Sequence, residues 1–350
     1  MTVKDKVCSF DELYKAMHKC KRNVMWKDSV SGYVKNGLIN CLNLHEQLID
    51  EKYKIDKYNI FTIYEPKQRE IVSTRMKDRV FQRSFGDNYL YPKMSKSFIY
   101  DNSACQIGKG TDFTMDRVNT HLQRFYRKHG LNGYVLQCDI KQFFGSTKHE
   151  TAKKIVRDTL DDDWAYRKVC DIIDSFNHGD DPNVGMGLGS QITQVTQLAI
   201  PSRMDHLIKE QMKIKHYIRY MDDFVLIHED REHLKKCLEL IRKELGSLGL
   251  RLNEKKTHIF PIRQGIKFLG FRFILTDTGK VIRKLKRENI THERKKLKKL
   301  VGLSKQGILS RENVDSCYVA WKAHADRGNT CGLIKEMDSY YKKLWEEHDA

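Results

Sequence analysis

His216-Tyr-Ile-Arg-Tyr220-Met221-Asp222-Asp223-Phe224-Val-Leu-Ile-His228 is the stretch on which the fold turns. Two β-rich pentads flank Met-Asp-Asp, which predicts a hairpin with both acids in its tip. Asp is common in turns, so the pair alone fits an ordinary turn as well. Carboxylates set among Ile, Tyr, Phe and Val are nonetheless costly unless something neutralises them. Two Mg²⁺ ions would do so, because magnesium favours carboxylate oxygens, water and phosphates. Two such ions about 4 Å apart can activate an attacking hydroxyl and hold a leaving pyrophosphate.

What lies on either side of the hairpin strengthens that chemistry. Tyr134-Val-Leu-Gln-Cys-Asp139-Ile140 is a second β-rich run that closes on an acid. Helices are expected at about 149–160 and 164–176. A glycine loop follows, Gly185-Met-Gly-Leu-Gly-Ser-Gln191, and then a helix from about 191 to 211. After the hairpin come a helix at about 231–247 and short strands at 250–252, 257–260 and 266–275. Upstream, Ser9-Phe-Asp-Glu12 is a capping-box pattern that opens a first helix. Residues 58–63 read as a strand ended by a Glu65-Pro-Lys turn. An amphipathic basic element follows, with Arg75, Lys77, Arg79 and Arg83 interleaved among apolar residues, and 112–129 reads as a helix.

In this order the segments resemble the palm motifs of reverse transcriptases, over roughly residues 60–275. Val135 to Phe144 resembles the first metal-binding motif, Gly185 to Gln191 the template and nucleotide loop, and Tyr220-Met-Asp-Asp223 the hairpin motif. Leu252-Asn-Glu-Lys-Lys-Thr257 resembles the lysine motif and Phe268-Leu-Gly270 the primer grip. Arg75 to Arg83 and Cys105 to Gly110 resemble finger motifs of bacterial members.

The resemblance implies an α+β right-hand polymerase. Fingers would span 1–132, and a palm of antiparallel sheet plus helices 133–278, with a helical insertion at about 149–184. A helical basic thumb would span 279–350. It implies metal binding by Asp139, Asp222 and Asp223, with Ile140 at the same site, and two Mg²⁺ ions for which Mn²⁺ can substitute. Phe144 matches the bulky gate that would collide with a 2′-hydroxyl and so favour dNTPs. Ser190, Gln191, Lys256 and Lys109 would contact the nucleotide. Arg75, Lys77, Arg79, Phe268, Leu269 and Gly270 would contact nucleic acid. The loop departs from the retroviral pattern, with Asn183-Val-Gly185 where Pro-Gln-Gly is usual. Ser190-Gln191 matches enzymes of diversity-generating retroelements, but Met186 stands at their glycine position. The whole loop is most similar to bacterial reverse transcriptases linked to phage defence.

Composition agrees with a polyanionic partner. Lys and Arg number 64 against 46 acids, a formal charge of +18. Nine basic residues lie between Arg283 and Lys299. On a helix they form a cationic face, with Lys295, Lys296, Lys298 and Lys299 against template–primer phosphates. Tyr318, Trp321 and His324 at near-helical spacing read as core. The nine cysteines show no CxxC spacing, which argues against a disulfide framework or zinc ribbon. With no signal-peptide pattern and no apolar run of spanning length, a soluble, cytoplasmic protein is expected. At 350 residues no appended nuclease or integrase is expected. The expected activity is RNA-directed DNA synthesis on a structured non-coding RNA, with an accessory protein or a homo-oligomer as further partners. The competing readings are a diversity-generating-retroelement polymerase, an inactive RNA-binding scaffold, and an RNA-directed RNA polymerase, which Phe144 disfavours.

Overall fold

A computed structural model describes residues 2–64, 68–177 and 181–346. The chain divides into two compact units, each assembled from three separated segments.

The first unit comprises residues 1–105, 139–213 and 239–253 and is mainly helical. Its capping box lies upstream of the expected one. Thr2 accepts from the Asp5 amide and Asp5 returns the bond, opening the helix Val3–Cys8. Ser9 instead caps the second helix, Phe10–Cys20, by accepting from the Glu12 amide at 3.3 Å. Strand β1, Asn59–Ile63, pairs antiparallel with β2, Arg69–Ser73. The expected Glu65-Pro-Lys turn lies outside the described residues. The amphipathic basic element is therefore two elements: β2, which pairs with β1, and the helix Met76–Phe85. That helix buries Val80, Phe81 and Phe85. The single helix expected over 191–211 is broken at Pro201, which has no N–H to continue the ladder. Helix Gln191–Ala199 stops before it, and Ser202–His206 runs on into a π-helical turn, Leu207–Gln211.

The second unit comprises residues 106–138, 214–238 and 254–350. Its sheet has four strands in the order β4-β5-β3-β6, where β3 is Tyr134–Asp139, β4 His216–Tyr220, β5 Asp223–His228 and β6 His258–Pro261. The helix Thr111–His129 packs on it through Val118, Leu122 and Phe125, joining a core with Val135, Ile218 and Val225. A second sheet, β7-β8-β9, follows: Ile266–Phe268, Phe271–Leu275 and Val281–Leu285. The helical character expected from residue 279 thus begins later. Arg283 and Lys284 lie on β9, paired to Phe273 and Arg272 of β8, and not on the cationic helix. Three helices end the chain, Arg287–Lys305, Arg311–Ala325 and Cys331–Glu346, around Leu297, Val301, Val314, Tyr318 and Met337. Tyr318 is core as expected, and Trp321 packs partly buried against the same cluster.

The strand expected at 250–252 is reduced to a bridge between Ile140 and Leu252. None of the nine cysteines forms a disulfide. No helix among the described residues is long and apolar enough to cross a membrane.

Candidate active site

In the first unit, Asp139 is buried at the end of β3. Asn253 holds it from both sides of the peptide. The Asn253 amide donates to the Asp139 carbonyl at 2.8 Å, and its side-chain nitrogen donates to Oδ1 at 3.1 Å. Ile140 is buried against Leu252 through the bridge, so its side chain is core. The chain then turns sharply. Gln142 adopts φ +48°, a left-handed conformation, and starts the short helix Phe143–Ser146. Two groups tie that turn down. Thr147 Oγ1 donates to the Phe143 carbonyl at 2.7 Å, and the buried Gln197 Nε2 donates to the same carbonyl at 3.0 Å.

Phe144 is half-buried and lines a cleft of about 230 Å³, together with Glu70, Val72, Gly145, Phe176 and residues 184–188. The glycine loop forms one side of this cleft, and its glycines are needed for space. A β-carbon at Gly187 would fall 1.8 Å from the Phe176 ring, and one at Gly189 2.5 Å from the Val72 carbonyl. Ser190 and Gln191 are placed differently from what the motif implies. Ser190 is buried and caps the helix Gln191–Ala199 by accepting from the Thr193 amide at 3.3 Å. Gln191 Nε2 donates to Asp87 Oδ1 at 3.2 Å, a carboxylate that Lys19 and Arg83 also hold. The cations of the amphipathic basic element have local partners. Arg75 Nε donates to the Lys57 carbonyl, Lys77 pairs with Asp56 at 2.7 Å, and Arg79 donates to Ser73 Oγ at 2.9 Å.

In the second unit, the hairpin forms as expected, with Tyr220 paired to Asp223 and β5 beginning on Asp223 itself. Met221 takes φ +55°, and the fully buried Arg219 donates to its carbonyl at 3.1 Å. A buried cation thus braces the tip that carries the acids. Asp222 and Asp223 are half-buried. Lys286, counted in the sequence as one of the tail cations, belongs to this region. Burial pushes its ammonium below the usual lysine range, while the Asp223 charge acts against that shift. Lys256 and Lys267 repel it, so these cations and Asp223 share one electrostatic neighbourhood. Lys256 itself is exposed. Lys109 lies 5.6 Å from the Phe113 ring.

Leu269 and Gly270 form the two-residue loop between β7 and β8, at φ +46° and +86°. The Gly270 carbonyl accepts from the Lys286 amide at 3.2 Å, joining this turn to the start of the helix Arg287–Lys305. Phe268, expected at the nucleic acid, is instead buried in the core, where it supports the turn. Lys295, Lys298 and Lys299 are exposed and Lys296 is half-buried. They avoid the stripe Glu293, Leu297 and Val301 that faces inward.

β3, which ends on Asp139, and β5, which begins on Asp223, are hydrogen-bonded neighbours in one sheet. Carboxylates are hard oxygen donors of the kind a divalent magnesium ion takes. Among the described residues no three His, Cys, Asp or Glu side chains form a ready-made metal cluster.

A four-stranded sheet in which an acid-ended interior strand neighbours an Asp-Asp hairpin, with a helix packed on it, is an arrangement found in nucleic-acid polymerases. Residues 57–273, more than half of the chain, match the family model "Reverse transcriptase (RNA-dependent DNA polymerase)", and the chain belongs to that family. Its fold is similar to that of telomerase from Candida tropicalis truncated from the C-terminal domain, at a TM-score of 0.50 and 15% identity over 71% of this chain. It is also similar to telomerase from Candida albicans in complex with the TWJ fragment of telomeric RNA, at 0.50 and 14% over 82%. The chain covers 60% and 54% of those two. Protein YkfC of Escherichia coli (strain K12) is 48% identical over 63 residues, 17% of this chain and 16% of that protein.

Sequence reasoning missed Asn253, Gln197 and Lys286. Asn253 stands inside the lysine motif, next to the residues that the motif marks. The others carry no local signal, since their roles depend on partners distant in sequence.

Proposed function

We propose that the chain is an RNA-directed DNA polymerase that adds dNTPs to a primer 3′ end on an RNA template by two-metal phosphoryl transfer. The observation that carries this is the agreement of the family match over 57–273 with acids at the end of β3 and the start of β5, neighbours in one sheet. Asp139, Asp222 and Asp223 would hold the ions, with the Ile140 carbonyl beside them. When bound, Mg²⁺ (or Mn²⁺) activates the primer hydroxyl and neutralises the leaving pyrophosphate. Asn253 fixes the Asp139 carboxylate and Arg219 fixes the hairpin tip, so the acids are oriented before substrate arrives. Phe144 lines the cleft where the sugar would lie and excludes a 2′-hydroxyl. Lys256 offers positive charge to the triphosphate, and the lysines of Arg287–Lys305 offer it to the duplex backbone.

The template we favour is a dedicated structured RNA, used in the cytoplasm in bacterial antiphage defence, with an accessory protein or a second copy as partner. The solved telomerase–RNA complex supports the structured-RNA part. A diversity-generating role rests on Ser190-Gln191, and the structural positions of these two residues weaken it. The intact acids argue against an inactive scaffold.

The test is primer extension on an RNA template with dNTPs and Mg²⁺, comparing the parent with Asp222→Ala plus Asp223→Ala. Loss of incorporation with retained folding and RNA binding is expected. Continued extension by the double variant would remove these acids from the mechanism.

A further inference from the structure

The glycine loop beside Phe144 has little means of holding its own shape. Gly185 sits at φ +109°, where it has no side chain to pack, and Gly187 and Gly189 lack one as well. Its order must come from groups outside it. The backbone supplies part. Gly185 N donates to the Thr147 carbonyl at 2.9 Å and Met186 N to the Phe144 carbonyl at 2.8 Å, around a bridge between Lys148 and Val184. These bonds splice the loop onto the strand-like segment that follows Phe144.

Side chains supply the rest: Thr193 Oγ1 donates to the Gly187 carbonyl at 2.6 Å and Gln194 Nε2 to the Leu188 carbonyl at 3.3 Å, and His149 holds the start of the loop. It opens the helix His149–Thr159, and its ring is almost completely buried at 2% exposure. Nε2 lies 2.9 Å from the Gly185 carbonyl. A carbonyl can only accept, so this nitrogen carries the hydrogen. Nδ1 lies 3.3 Å from Asp174 Oδ1, on the neighbouring helix Asp163–Asp174, and Lys153 pairs with the same carboxylate at 2.6 Å. The His149 amide donates to the Asn183 carbonyl at 2.8 Å. One residue therefore grips the loop at 183 through its amide and again at 185 through its ring.

We propose that His149 is a positioning residue that sets the glycine loop as a wall of the Phe144 cleft and thereby sets affinity for the incoming nucleotide. The proposal rests on the nucleotide assignment of that cleft. The hydrogen bonds of His149 run to the loop, so its loss should act on substrate binding and spare the chemical step. A histidine that merely joins two helices would change stability and leave the nucleotide KM alone.

The experiment compares the full chain with His149→Phe, which keeps volume without a donor, and His149→Gln, which can still donate to Gly185. Extension of oligo(dT) on poly(rA) is followed against dTTP concentration, with thermal melting and amide exchange of residues 183–188 measured on the same preparations. In His149→Phe, KM for dTTP should rise about tenfold, the worth of one hydrogen bond to a buried group, with kcat within about twofold. Exchange at 183–188 should quicken, and His149→Gln should lie closer to the parent in both. An unchanged KM, or a Gln variant no better than Phe, would overturn the proposal. A parent that extends no primer, on poly(rA) or on the RNA that co-purifies with it, would instead refute the polymerase reading. Amide exchange would still judge the clamp, because unchanged protection at 183–188 in His149→Phe would show that the ring does not hold the loop.

Discussion

Gly187→Ala is the sharpest perturbation of the cleft. The added β-carbon would fall 1.8 Å from Phe176 Cε1, 2.3 Å from Cδ1 and 2.4 Å from Cζ. Ordinary carbon contacts begin near 3.4 Å, so the loop or the ring must retreat by about 1.6 Å. The ring has little freedom to do so. Phe176 is 4% exposed and stacks on Tyr58 with centroids 4.7 Å apart, and the Tyr58 hydroxyl is bonded to Ser175 Oγ. Overpacking of this kind costs about 1–3 kcal/mol, which lowers the melting temperature of a chain of this length by about 1–4 °C. Gly145→Ala, where nothing lies within 4 Å of the new atom, is the matched control and should melt with the parent. A double-mutant cycle isolates the clash. In a Phe176→Leu background the cost of Gly187→Ala should shrink by at least about 0.5 kcal/mol, because the obstructing ring edge is gone. The assay is thermal or urea melting of the four variants. If Gly187→Ala melts with the parent, or if its cost is the same with Phe and Leu at 176, the loop does not rest on that ring and the described cleft is wrong.

Phe144→Val should admit ribonucleotides, raising the rNTP-to-dNTP incorporation ratio by at least about tenfold; an unchanged ratio would place sugar discrimination elsewhere and reopen the RNA-polymerase alternative. Replacing Lys295, Lys296, Lys298 and Lys299 together with Gln should weaken template–primer binding for all sequences alike. The slope of log affinity against log salt should flatten by up to about 0.7–0.9 for each phosphate that the protein no longer neutralises, and product length should shorten more than the single-nucleotide rate falls. An unchanged slope with normal product length would mean that this face meets solvent or a protein.

Which of these features could be read in the sequence follows from where their energy comes from. The hairpin and β3 were legible because their apolar, β-branched runs specify strand locally and their acids stand out against that background. β2 and β9 were not, because Arg69-Glu-Ile-Val-Ser73 and Val281-Ile-Arg-Lys-Leu285 carry as much charge as apolar surface. Such segments become strand because β1 and β8 offer them a ladder, and a partner's edge leaves no mark on the segment it recruits. The site divides in the same way. Asp139, Asp222, Asp223 and Phe144 stand out in the sequence because a motif is a local pattern. Phe268 was placed at the nucleic acid because a motif gives position along the chain and says nothing of which way a side chain points. His149 shows the converse. Its grip on Gly185 spans 36 residues, so nothing in the sequence around His149 marks the contact. A loop made of glycines advertises that it needs external support, and the sequence does announce Gly185 to Gly189. The residue that supplies the support is found only once the helix His149–Thr159 has been laid beside that loop.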